Sequence, residues 1–480
     1  MNKGFLTTFI LCTVFYSFSQ TTISRTLINN FTKLQIDSLL DANGIPSAVV
    51  NSEYGVSIYK LVYHTVSFDS SATVASGLFC VPNNTSCQFP LASYQHGTIT
   101  KKNDAPSRFK GQEPLVATIL ASTGYVTLEP DYLGLGDSPG IHFYQHSQTE
   151  GTAVIDMIRA AREICDSLQV RLNGQIFLTG YSEGGHATMA AHRMIQEKVD
   201  SEMHVTASIP MSGAYSMSEV MTNVMLSDST YPSPSYLGYL VTSWNVAYSL
   251  YDSLDKPLIY PYDSLMYRFF DGTHSTNYVD ARMPSVPKTI FKPDTIAAFM
   301  SDYNHPFRAA LRDNDVDNWL PTSPVTMLFC SSDHYVSDSN AFVAVTKMRA
   351  LGCTQCDTVN INSTLDHQEC AQYAIFYAKS LADLSAYVDC STGIDERRAH
   401  GFSIFPNPAS TQIEIKLPSN ISEIKSIELV SMEGKVLSTE TNLHSVNGVS
   451  LGVSNLSSGI YLVHITTADG VVIKNRFVKE

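Results

Sequence analysis

The stretch Ile176-Phe177-Leu178-Thr179-Gly180-Tyr181-Ser182-Glu183-Gly184-Gly185-His186 decides how the rest of this chain is read. An apolar run of strand character ends in Gly-x-Ser-x-Gly, and a helical pattern follows at once in Ala187-Thr188-Met189-Ala190-Ala191-His192. Strand, sharp turn and helix in that order make a nucleophile elbow, a turn that strains the serine backbone and lifts its hydroxyl clear of the sheet. Gly180 and Gly184 let strand and helix pass closely, because a Cβ there would collide. The bare triplet would turn up by accident about 0.1–0.2 times in a chain of this size. Its place between a buried strand and a helix removes most such accidents. The plainer account is a Gly-rich strand-to-helix turn with a solvated serine.

Around this motif the composition is that of a globular protein of up to about three domains. Hydrophobic residues make up 44% and charged residues 16%, enough for a sizeable core. The formal net charge of −14, with no basic run, argues against a nucleic-acid partner. Met1-Asn2-Lys3, an apolar stretch from Phe5 to Phe18, and Ser17 and Ser19 before Gln20 describe a secretory signal over residues 1–19. A membrane anchor is the alternative, but the stretch is short for a span. Eight cysteines follow the signal, between Cys80 and Cys390. In an exported protein an even number favours disulfides over metal ligation. Cys80 and Cys87 bracket a short turn and could close a small loop. Cys353-Thr-Gln-Cys356 is a lone pair without a partner pair, which makes zinc a poor expectation. Buried free thiols remain the other account.

From Ser57 to about Cys390 the chain alternates strand-like and helix-like stretches, so an α/β fold over residues 20–395 is expected. Strands are read at Val56–Thr65, Ala75–Val81, Leu91–His96, Tyr125–Pro130, Val205–Pro210, Val325–Cys330 and Thr358–Asn362. Helices are read from about Thr149 to Leu168 and from Glu369 to Tyr387. The alternation breaks between about 215 and 321, a segment rich in tyrosine and proline. Inserted there, it would form a mainly helical cap over the carboxyl ends of the strands. Its tyrosines either line a pocket for an apolar substrate or pack the cap itself. A boundary falls near Ser391–His400. Residues 402–480 read as short alternating strands with turns at Glu433-Gly434 and Asp469-Gly470, hence a small β-sandwich.

An activated serine needs a base within hydrogen-bond reach and an acid to orient it. In the α/β-hydrolase arrangement these follow as Ser, then Asp or Glu, then His, each on a loop after a later strand. Asp333, in Ser331-Ser332-Asp333-His334, and His367, in Leu365-Asp366-His367-Gln368, satisfy that order. Asp338 and Asp366 are rival acids and His334 a rival base. For an oxyanion, one N–H should come from Glu183, whose side chain need not take part. The second should come from Thr98 or Gly97, in Tyr94-Gln95-His96-Gly97-Thr98. Asp131-Tyr-Leu-Gly-Leu-Gly-Asp-Ser138 lacks the spacing of a dinucleotide site and reads as a tight loop under the site. His142 and His146 would be a possible metal pair if helical, but no further ligands stand nearby. Neither a metal nor a cofactor is expected.

These residues together resemble the secretory lipase family of α/β-hydrolases, over roughly Thr21–Val388. The resemblance rests on Tyr94–Thr98, Pro130–Gly136, Gly180–Gly185, Asp333 and His367. It implies a carboxylic-ester hydrolase that forms an acyl-enzyme on simple acyl esters or lipids. Glu183 and the tyrosine-rich cap depart from the family pattern and leave short-chain or aromatic esters open. Phe402-Ser-Ile-Phe-Pro-Asn-Pro-Ala409, Leu456-Ser-Ser-Gly-Ile-Tyr461 and Lys474–Glu480 resemble the C-terminal sorting domain of the type IX secretion system. That implies outer-membrane secretion machinery as a partner and a secreted or cell-surface location; a carbohydrate-binding or adhesive sandwich is the alternative. The expectation is a secreted serine esterase or lipase. A serine peptidase of the same fold and a non-catalytic surface binder are its rivals.

Overall fold

The computed structural model describes residues 21–47, 49–390, 402–417, 424–432, 435–443, 449–467 and 472–480. The signal expected at 1–19, the boundary at 391–400 and the turns at 433–434 and 469–470 lie outside them.

The larger region is built on a nine-stranded sheet: β1 (Thr22–Phe31), β2 (Val56–Val66), β3 (Ala72–Pro82), β4 (Gln88–Gln95), β5 (Val126–Pro130), β6 (Arg171–Tyr181), β7 (Ala207–Met211), β8 (Val325–Cys330) and β9 (Cys356–Asn362). Their spatial order is β1-β2-β3-β5-β4-β6-β7-β8-β9. The first three strands run antiparallel, while β5 through β9 run parallel to one another. From β4 the chain steps back to β5, then crosses through the helix Ser147–Leu168 to β6 on the other side of β4. The order therefore reverses between β4 and β6. In open α/β sheets the crevice outside the carboxyl ends at such a reversal is where ligands sit.

Strand β6 shows why the elbow stands there. Ile176 and Leu178 face one side, packed with Val154, Ile158 and Ala161 of the helix Ser147–Leu168. Phe177 and Tyr181 face the other, packed with Ala374 and Ala378 of the helix His367–Ala382. A strand buried on both faces reads as a continuous apolar run, and this one does. The hydrolase-type fold expected from the sequence is the one observed.

Between β7 and β8 the chain forms the expected mainly helical cap, including the helices Ser235–Tyr248, Tyr262–Phe269, Pro293–Ser301 and Pro306–Asp313. The cap has its own core around Trp244, Met266, Phe270 and Phe307. Its tyrosines divide between the two expected roles. Tyr239 stacks between Phe270 (4.5 Å) and Tyr144 (5.0 Å) and packs the cap, whereas Tyr231 and Tyr236 line a cavity.

The cysteines correct one expectation. Cys87 pairs with Cys390, Cys330 with Cys370, and Cys353 with Cys356. Cys80 and Cys165 are buried free thiols, so the small loop closed by Cys80 and Cys87 does not form. Cys80 points to the face of β3 packed with Ala117 and Ile119, whereas Cys87 belongs to the core on the opposite face. Backbone bonds between Gln88 and Asp389 bring Cys390 to Cys87 instead.

The C-terminal region folds into two antiparallel sheets. One holds Ser403–Phe405, Gln412–Lys416 and Val449–Gly452; the other holds Val436–Leu443, Ile424–Ser431, Gly459–Thr467 and Val472–Lys479. Ile413 and Ile415 from the first meet Ile427, Val463, Ile465 and Phe477 from the second. This is the sandwich that the alternating pattern implies. Among the described residues, no helix is long and apolar enough to cross a membrane.

Candidate active site

Ser182 sits at the end of β6 with φ 62° and ψ −119°. A non-glycine residue in that region is strained and must be held by its surroundings. The Ser182 N–H donates to the Met211 carbonyl on β7 (2.9 Å). On the other side β4 comes so close that a Cβ on Gly184 would lie 1.9 Å from the Gln95 carbonyl oxygen, and one on Gly180 2.6 Å from it. Those two glycines are what let the turn sit between two parallel strands.

The structure brings together the three residues singled out from sequence. His367 Nε2 lies 2.9 Å from Ser182 Oγ, and His367 Nδ1 lies 2.6 Å from Asp333 Oδ2. The other carboxylate oxygen of Asp333 accepts the backbone N–H groups of Tyr335 and Val336, both at 2.8 Å. A carboxylate so bonded accepts from Nδ1–H, which leaves Nε2 free to accept from the serine hydroxyl. The imidazole is also held between rings. Tyr335 stacks on it at 4.9 Å, and Tyr181 lies at 5.0 Å with its hydroxyl donating to the His367 carbonyl (2.6 Å). All three residues are buried. Cys330 and Cys370, three residues before Asp333 and three after His367, clip the strand that leads to Asp333 to the helix that opens with His367.

The rival residues lie away from this arrangement. Asp366 is the N-cap of the helix His367–Ala382 and accepts from the Glu369 N–H (2.9 Å). Asp338 stands at the start of the helix Ser339–Ala350, and His334 is exposed.

The β4 loop reaches the serine, with a Cβ on Gly97 falling 3.9 Å from Ser182 Cβ. The Gly97 N–H donates a long bond to Glu113 Oε1 (3.4 Å), and Thr98 Oγ1 donates to the Tyr144 hydroxyl (3.4 Å). Glu183 opens the elbow helix, where an N–H has no acceptor within its own helix. Beneath, the loop at Asp131 is as tight as expected. Asp131 accepts from Ser107 N–H (2.8 Å) and Ser76 Oγ (2.5 Å), and the Tyr132 hydroxyl donates to the His96 carbonyl (3.1 Å).

The segment from His142 to His146 is not helical, so the condition for His142 and His146 to stand as a metal pair is not met. His142 Nε2 contacts Glu183 Oε1 (2.5 Å), a partner for that side chain that the sequence did not name. His146 caps the helix Ser147–Leu168, accepting from Thr149 N–H (3.4 Å); burial pulls its pKa down to about 4. The sequence signal for the Glu183–His142 contact was the acidic residue at an elbow position that must be buried. Nothing in the sequence named its partner 41 positions away.

Above Ser182 lies a cavity of about 50 Å³ walled by cap residues, among them Met217, Met221, Met225, Tyr236 and Leu240. Its polar lining is Ser182, Gln145 and the tyrosines; the rest is apolar.

Residues 108–224 match the family model of secretory lipases, and residues 403–480 match that of the secretion system C-terminal sorting domain. Among solved structures, a Legionella pneumophila protein assigned as a hydrolase is 27% identical, with a TM-score of 0.70 over 77% of this chain and all of that one. The rice cell wall degrading esterase LipA of Xanthomonas oryzae is 26% identical, with a TM-score of 0.67 over 76% of this chain and 98% of its own. Candida antarctica lipase A, at 15% identity and a TM-score of 0.54 over 73% of this chain and 78% of its own, shares the fold. No curated protein matches the chain. The chain is a secreted or cell-surface hydrolase of the esterase and lipase kind.

Proposed function

We propose that the protein is a serine carboxylic-ester hydrolase acting through an acyl-enzyme on Ser182, with His367 as base and Asp333 as its orienting acid. The contact of 2.9 Å between His367 Nε2 and Ser182 Oγ, with Asp333 behind it, is the observation that carries the proposal. His367 takes the serine proton as Oγ attacks the ester carbonyl, then gives it to the leaving alkoxide. The same imidazole next draws a proton from water, whose oxygen attacks the acyl carbon, and returns it to Ser182 Oγ as the acid leaves. Asp333 and the faces of Tyr335 and Tyr181 favour the imidazolium that forms twice in each cycle.

Glu183 N–H and Thr98 N–H are the proposed oxyanion donors, because the Gly97 N–H is turned toward Glu113. Each such donor contributes about 3–4 kcal/mol in comparable sites. The apolar, methionine-walled cavity fits the acyl group of a small ester or lipid. Residues 20–395 form the catalytic domain in this proposal, with 215–321 as its cap. Residues 402–480 are the partner of type IX outer-membrane secretion machinery after export by the signal at 1–19. Ser182→Ala should lower turnover of p-nitrophenyl esters by about a millionfold while the fold persists. Undiminished turnover sinks the mechanism, and faster cleavage of matched amides than esters would favour a peptidase.

A further inference from the structure

Four buried titratable side chains lie behind Ser182 and move no proton in the mechanism above. Glu183 Oε1 is 2.5 Å from His142 Nε2, and Glu150 Oε2 is 2.6 Å from His186 Nδ1. At 0–2% exposure, all four are sealed from solvent. The second nitrogen of each ring fixes its protonation. His142 Nδ1 lies 2.9 Å from the Leu133 carbonyl, and His186 Nε2 lies 2.9 Å from the Asn314 carbonyl. A carbonyl only accepts, so each of these nitrogens carries a proton. Each contact with a carboxylate then holds one further proton between nitrogen and oxygen. Either pair is neutral as a unit, whether written as imidazolium with carboxylate or as imidazole with carboxylic acid.

Burial alone would lower the pKa of both rings, yet Glu183 beside His142 and Glu150 beside His186 outweigh it and hold both above the ordinary histidine value. The other titratable groups around them are His146 and the phenols of Tyr132, Tyr144 and Tyr239, all kept neutral by burial.

The placement of the two pairs matters more than their charge. Glu183 is the first residue of the elbow helix, and His186 lies one turn on. Through Glu183 the turn is tied to the loop that carries His142. Through His186 it is tied to the helix Ser147–Leu168 at Glu150 and to the exit of the cap at Asn314. A carboxylate at a helix N-terminus needs no burial to favour the helix dipole. Sealing it against a histidine fixes the direction in which the Glu183 peptide plane points.

We propose that Glu183 and His142, backed by Glu150 and His186, are positioning residues that hold the Glu183 peptide N–H on the developing oxyanion. The inference rests on the serine-hydrolase reading and deepens it. It assigns the Glu183 side chain the task of aiming its own backbone.

The test is kinetic. Glu183→Gln keeps the volume and replaces the short shared-proton contact by an ordinary neutral amide contact. It should lower kcat on p-nitrophenyl butyrate about 10- to 100-fold and leave KM within about twofold. Inhibition by an alkyl trifluoromethyl ketone, whose serine adduct carries the same oxyanion, should weaken by the same factor. The double variant Glu183→Leu with His142→Phe removes both members and keeps the site filled. It should melt near the parent temperature and remain as slow as Glu183→Gln, and it carries the test if the single variant does not fold. Parental kcat and inhibition in Glu183→Gln would overturn the inference, as would full recovery of kcat in the double variant, which marks a structural pair only. Ser182→Ala run alongside separates the two claims. If it still turns over, the serine reading has failed; if it is dead while Glu183→Gln matches the parent, only this inference has.

Discussion

The floor of the site and the cap above it are built on opposite principles. On the floor, directional bonds run from Ser182 through His367 to Asp333, and on to the backbone at Tyr335 and Val336. Two buried Glu–His pairs and the disulfide Cys330–Cys370 stand behind them. The cap has no cysteine between Cys165 and Cys330, and it meets the serine with methionine, leucine and tyrosine. Hydrogen bonds have narrow geometry and hold reacting atoms to fractions of an ångström. Methionine fills irregular space and yields to a new shape. On the proposed function, the reaction is written into the rigid half and the choice of acyl group into the compliant half.

After the loss of Ser182 itself, the largest blow to the floor is Asp333→Asn. The amide presents the wrong hydrogen-bonding partner to His367 Nδ1, so kcat should fall about 10⁴-fold at little cost in KM or fold. Initial rates on p-nitrophenyl butyrate measure it. A loss below tenfold would mean that the carboxylate does not orient the base. A covalent break comes next. Opening Cys330–Cys370 by paired serine substitution releases a crosslink across 40 positions, for which loop closure predicts a loss of up to about 4 kcal/mol. Denaturant titration reads that loss, and activity at a fixed fraction folded should fall with it, because the clip joins acid to base. The cap, with no cysteine, has no crosslink to open.

The floor also sets how far acid is tolerated. Burial leaves His146 with a pKa near 4, below the value of about 6.5 that the unfolded chain offers. The unfolded state therefore binds the extra proton first. Stability from this group is complete above about pH 6.5 and falls away as the pH drops toward 4, by about 3 kcal/mol in total. His142 and His186 run the other way, since their pKa values stand above ordinary and their contribution fades only as pH rises. His146→Asn keeps a side-chain cap and removes the titration. It should flatten the slope of unfolding free energy between pH 6.5 and 4, and an unchanged slope would show that His146 is not what titrates there.

How much of this was legible in the sequence follows the same division. Ser182, Asp333 and His367 could be named because each follows closely on a strand end or opens a helix, and hydrophobic periodicity locates strand ends. The partners His142 and Glu150 could not, because a contact across 41 or 36 positions depends on which loops meet and leaves no period. The cysteines failed for a related reason, since an even count says nothing of which sheet face each thiol takes. Strand β1 was missed outright. Its sequence Thr-Ile-Ser-Arg-Thr-Leu-Ile-Asn-Asn-Phe lies at an edge with most side chains exposed, so neither alternation nor a continuous apolar run marks it.

The smallest effect belongs to the cap and sharpens the contrast most. Met225 and Leu237 wall both the cavity over Ser182 and a second apolar cavity lined by Phe291, Ile296 and Phe299. A methionine there is a soft partition between two spaces, and neither space touches Asp333 or His367. Met225→Ala should raise kcat/KM for p-nitrophenyl octanoate about tenfold relative to acetate, the amount one or two methylenes are worth in an apolar pocket. Met225→Trp should shift the ratio the opposite way, while kcat on acetate stays near the parent value in both. A ratio that stays fixed would mean that the acyl group does not enter the cap. A fall on acetate as large as that on octanoate would mean that the compliant half also holds the reacting atoms, and the division of labour between floor and cap would be lost.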